Sequence, residues 1–156
     1  MSKLMIASPE VDKIVQTIAA ELGLSQIGIE FQTLNTRKAK EVVKISKASE
    51  ITELMSKRQD LIIVIVYEKA FDLVDEKMQY MWLRMAMESV SYDSEKDKIN
   101  IGCPSITVPL SFVEKYGETA INAAKLGLLT ISQIEDEEKK QKEIEKNLKK
   151  KKKGNN

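Results

Sequence analysis

The chain has 156 residues, with 25 Lys and Arg against 24 Asp and Glu, a formal charge of +1 and no histidine. At 42% apolar it holds enough hydrophobic side chains for one packed domain and too many for a disordered chain. The absent histidine excludes a Ser-His-Asp triad, a Cys-His pair and any imidazole-ligated metal, and the lone Cys103 excludes an intramolecular disulfide and a multi-cysteine zinc site.

Ser8-Pro9-Glu10 suits a helix start: a capping hydroxyl, a proline at the first helical position and an acid at the positive end of the dipole. Val11, Ile14, Val15, Ile18, Ala19 and Leu22 then share one face at helical spacing, and Gly23 ends the run. From Ile27 the period changes to two, so Ile27–Gln32 reads as a half-buried strand, with Lys40–Ser46 as its partner across a loop. Ser49 caps a short helix through Met55. Leu61–Tyr67 is a continuous β-branched run, suited to a central strand covered on both faces and far too short to cross a membrane.

Asp75–Val90 reads as the main core helix, because its apolar residues spread almost all the way round. Tyr92–Lys98 is a polar connector dense in carboxylates, and Lys98–Gly102 a short strand. Pro109–Tyr116 and Glu118–Leu126 follow as short helices, and Thr130 or Ser132 caps a last, highly charged one. The expected fold class is α+β: a small mixed sheet of about four strands packed on a buried central helix. The domain spans residues 8–134, and residues 135–156 form a charged, lysine-rich helical extension.

Nine lysines against six acids between Glu135 and Lys153 leave that segment at +3, and the preceding 134 residues at −2. The block Lys149, Lys150, Lys151, Lys152 and Lys153 repels itself and is expected to be partly disordered unless a polyanion neutralises it. Its plain reading is a solvated, solubilising segment; its functional reading is loose, salt-sensitive contact with nucleic acid.

Three other features invite chemistry. Glu88 is a carboxylate late on the apolar helix, costly to bury unless paired. It suits a general base or metal ligand, but Arg84 lies one turn earlier on the same face, and an ion pair is the simpler account. Asp93, Glu95 and Asp97 offer oxygen ligands for a hard cation, with Lys96 and Lys98 competing for them. Cys103 precedes Pro104 with no basic neighbour to activate it, and reads as an inert buried thiol.

The order of elements is similar to that of the metallopeptidases encoded by bacteriophages, small zincin-type domains related in layout to the SprT group. Leu61–Tyr67 resembles their apolar strand and Glu76–Leu83 the approach to their metal helix. Tyr92–Asp97 resembles the following acidic loop, Ser111–Gly117 the closing helix, and Ser46–Ser49 a turn of the same kind. The likeness covers about residues 8–117. It aligns the family's His-Glu-x-x-His with Met87-Glu88-Ser89-Val90-Ser91, so it implies a zincin-like fold in which Glu88 is a vestigial general base and Met87 and Ser91 are former metal positions. Thioether and hydroxyl are poor zinc ligands, and Glu88 alone hydrolyses nothing.

The resulting expectation is a non-catalytic, metallopeptidase-like binding or assembly module, plausibly phage-encoded. It would be cytoplasmic, with an unidentified protein partner, no membrane contact and no cofactor. One alternative is a metal-dependent hydrolase ligated by Glu88, Asp93, Glu95 and Asp97; another is a small nucleic-acid-binding accessory protein using the lysine tail.

Overall fold

The computed structural model describes residues 3–102 and 110–153, with side chains described for 3–102 and 112–149. Cys103 lies outside the described residues. The elements are β1 (Leu4–Ile6), α1 (Pro9–Glu21), β2 (Glu30–Thr36), β3 (Val43–Lys47), α2 (Glu50–Ser56) and β4 (Leu61–Val66). They continue with α3 (Glu68–Phe71), α4 (Glu76–Met87), β5 (Val90–Asp93), β6 (Lys98–Ile101), α5 (Leu110–Tyr116) and α6 (Glu118–Lys153). The class is α+β.

A four-stranded mixed sheet runs in the order β1-β2-β4-β3. The apolar run of β4 takes an interior place: it lies parallel to β2, with Thr33 opposite Val64, and antiparallel to β3, with Ile45 opposite Val64. That pairing corrects the expected hairpin between the second and third strands. A strand apolar on both faces gains most where neighbours flank it on both edges, so β4 separates β2 from β3. The second strand also starts later than its alternation suggests, because Gly28 at φ +89 turns the chain first.

Alternation along the sheet decides what is buried. Phe31, Thr33, Val43, Ile45, Ile62, Val64 and Val66 point into the core, whereas Gln32, Leu34, Ile63 and Ile65 are half-buried on the other side. Helix α1 covers the core side with Val11, Val15, Ile18 and Ala19, and burying each large one of these contributes about 1.5–3 kcal/mol. Ser8 precedes α1 without a side-chain cap; its backbone N–H instead donates to Glu68 Oε1 at 2.6 Å.

The central helix is shorter than the apolar run suggests. Asp75 caps α4 by accepting from the Met78 N–H at 2.9 Å, and Met81, Trp82, Leu83, Met85, Ala86 and Met87 are all buried. The helix stops at Met87, where the Ser89 hydroxyl donates to the Ala86 carbonyl at 2.6 Å. The chain then enters β5, which pairs antiparallel with β6, Val90 opposite Ile101. The carboxylate-rich connector is therefore a hairpin turn between two strands.

Helix α6 is one continuous element of 36 residues, which at about 1.5 Å per residue makes it about 54 Å long. The expected break near Thr130 does not form: the buried Thr130 hydroxyl donates to the Leu126 carbonyl at 2.7 Å, inside the helix. Ala120, Ala123, Ile131 and Ile134 pack on the domain. The division expected at residues 134/135 falls within this helix, which runs on through the lysine block.

Candidate functional site

The carboxylate of Glu88 is engaged. Arg84 Nε donates to Glu88 Oε1 at 2.9 Å, and the two side chains are only 11% and 14% exposed. The same guanidinium donates through Nη1 to Glu21 Oε2 at 2.7 Å and to the Tyr80 hydroxyl at 3.2 Å, while Tyr80 donates to Glu21. Burial, reinforced by the bond to Glu21, pushes the Tyr80 phenol up. The cluster ties α1 to α4 and gives the half-buried charges opposite partners.

The positions aligned with zinc ligands do not meet. Met87 is the last residue of α4 and fully buried, whereas Ser91 is exposed on β5. An i, i+4 pair shares a face only while the helix continues, and here it ends between the two. Met87 and Ser91 therefore lie on different elements, one buried and one exposed, and do not flank Glu88 on a common helical face.

The acidic turn is likewise spent on local structure. Asp93 Oδ1 accepts from the backbone N–H groups of Glu95 at 3.1 Å and Lys96 at 3.3 Å. Asp97 sits at φ +47 and accepts from the Tyr92 hydroxyl, a bond that raises the Tyr92 pKa. Among the described residues, no three His, Cys, Asp or Glu side chains gather in a geometry suited to a metal ion, so Glu88, Asp93, Glu95 and Asp97 are not brought together as a ligand set.

The remaining candidate is the far half of α6. Its near half is fixed by an unusually close approach: Trp82 Nε1 donates to the Ala123 carbonyl at 2.9 Å, and Gly127 lies over the same ring. A Cβ at Gly127 would sit 3.3 Å from Val42 Cγ2 and 3.5 Å from Trp82 Nε1. Farther along, Lys69 Nζ reaches Glu138 Oε1 at 2.7 Å. That hydrogen bond holds the Glu138 carboxyl below the usual carboxylate range and raises Lys69. Lys69 has no signal in the sequence as a determinant of helix position, since its partner lies 69 residues away.

Beyond Glu138 every residue from 139 to 149 is exposed, Ile144 and Leu148 included. Residues 139–153 carry nine lysines and two glutamates, a net of +7 on a helical arm about 22 Å long. Lys149–Lys153 occupy its last turns, where cations meet the negative end of the helix dipole. No described helix is long and apolar enough to cross a membrane. No family model matches the chain, and no curated protein or solved structure does either.

Proposed function

We propose that the chain is a non-catalytic binding module that holds nucleic acid through the basic arm of α6. The observation that carries this reading is the continuation of a domain helix past its ion pair at Glu138, exposed from residue 139 to 149 and carrying a net +7 over residues 139–153. A core-forming helix gains nothing by such an extension. A phosphate backbone, in contrast, releases condensed counterions as each lysine approaches it. The contacts are to phosphates, so binding is tolerant of sequence and steeply dependent on salt. Neutralisation also relieves the mutual repulsion of Lys149–Lys153. The engagement of Glu88 by Arg84 supports a non-catalytic role, because the carboxylate is mostly buried and already occupied by a guanidinium at 2.9 Å.

The test is anisotropy of a labelled, mixed-sequence duplex titrated with the full chain across a salt series. Replacing Lys149–Lys153 together by glutamine is expected to weaken binding at least about tenfold and to flatten the salt dependence by about four units of slope. Unchanged binding overturns the reading.

A further inference from the structure

An excess of positive over negative charge is concentrated in two segments of this chain. Residues 37–47 hold Arg37, Lys38, Lys40, Lys44 and Lys47 against Glu41 alone, a net of +4, and residues 139–153 hold +7. The rest of the molecule is therefore at −10. The fold sets the first basic segment against the near half of α6 and close to the start of the arm. Glu41 and Val42 line one small pocket with Ala124, Gly127, Leu128 and Ile131 of α6. At the start of the arm, Glu138 is held low first by its bond to Lys69 and then by the fields of both Lys142 and Lys38. One of those lysines belongs to each basic segment.

The β2–β3 connection and β3 also frame a basic groove. Lys38, Lys40 and Lys44 line a groove of about 340 Å³, together with Glu41, over Leu4, Thr36, Ala39 and Ile65. The Thr36 hydroxyl donates to the Lys38 carbonyl at 3.0 Å and fixes the turn at its rim. All three lysines are exposed, and none has an ion-pair partner among the described residues. Three exposed ammonium groups against one carboxylate, Glu41, around one groove on an otherwise acidic body favour a polyanion over a neutral or cationic ligand.

We infer that Lys38, Lys40 and Lys44 form a second phosphate-binding site, so that one nucleic-acid backbone crosses both this groove and the α6 arm. The inference rests on the reading of the arm as a nucleic-acid contact and extends it to a two-part footprint. A ligand long enough to reach both parts gains from each, whereas a strand only a few nucleotides long engages one.

The experiment uses the full chain and a labelled, mixed-sequence duplex of about 20 base pairs, titrated from about 50 to 200 mM salt. Three variants are compared: Lys38→Gln/Lys40→Gln/Lys44→Gln, the arm variant with Lys149–Lys153 replaced by glutamine, and a control with Lys13→Gln/Lys77→Gln/Lys96→Gln. The control removes the same charge from exposed lysines elsewhere on the body. The groove variant is expected to lower the slope of log K against log salt by about 2–3 and to weaken binding about tenfold or more near 100 mM. The control is expected to change the slope by less than about one. A groove variant that matches the control overturns the second site and leaves the arm standing if the arm variant still weakens binding. An arm variant that binds as the unaltered chain does overturns the arm reading and the shared footprint with it. Capture of an acidic peptide with no retention of the duplex overturns both.

Discussion

Trp82 donates its indole N–H to the Ala123 carbonyl across 2.9 Å, joining the buried centre of α4 to α6 beside Gly127, whose missing side chain leaves room for the indole. The ring is fully buried and also meets Phe71 at 5.6 Å between centroids. Trp82→Phe removes the donor and leaves a void where the larger ring stood. The expected loss is about 2–3 kcal/mol in urea unfolding, combining a lost hydrogen bond with a cavity.

Gly127→Leu tests the close approach from the other side. Leucine is the better helix former by a fraction of a kcal/mol, so a solvent-facing site would be stabilised. Here its Cβ already starts 3.3 Å from Val42 Cγ2 and 3.5 Å from Trp82 Nε1, beside a pocket too small for the rest of the side chain. Overpacking outweighs propensity, and the variant is expected to unfold about 1–3 kcal/mol more easily. A gain in stability would show that the contact yields.

Arg84 and Glu88 separate structure from chemistry. Arg84→Met strands two acids, Glu21 and the mostly buried Glu88, and is expected to cost about 1–3 kcal/mol. Glu88→Gln keeps a hydrogen-bond acceptor for Arg84 and is expected to cost less than about 1 kcal/mol. Equal losses in chemical denaturation would contradict this asymmetry.

The Lys69–Glu138 bond makes the far docking point of α6 dependent on pH. Glu138 titrates below its ordinary value, so its stabilising contribution is complete above the normal carboxylate range and disappears as pH falls through the lowered value. Lys69 titrates above its ordinary 10.5, so its contribution is complete below that value and is lost only in stronger alkali. Hydrogen exchange of the amides flanking Glu138 is therefore expected to quicken, beyond the intrinsic pH trend, as pH drops below about 4. Glu138→Gln should abolish that acid-specific change.

Local patterns in the sequence carry much of this molecule, and long-range ones do not. The spacing from Val11 to Leu22 shows α1, and the β-branched run shows β4, because each signal lies within a single element. Arg84 and Glu88 are readable as a pair at i, i+4. Their ties to Glu21 depend on how two distant helices pack, which no spacing encodes. The end of α4 is misread because Val90, Ser91 and Tyr92 fit both an apolar helix and a strand, and pairing with β6 decides between them. A helix ending at Leu126 and a new one capped by Thr130 or Ser132 are the local reading, yet Gly127 serves a close contact inside one continuous helix and Thr130 bonds backward within it. Strand β1 has three residues, too few to show a period. The cations of the β2–β3 loop are plain in the sequence; that they lie beside α6 is a property of the fold.

Because Trp82 is the chain's one tryptophan and bonds directly to α6, the molecule contains its own optical gauge. The helix runs from Ala123 to Lys149 without interruption, a lever of about 39 Å whose fulcrum is an indole N–H. A load on the lysines that tilts this lever alters the polarity and hydrogen bonding around the fluorophore, so intrinsic emission reports events at the distant tip without any added label.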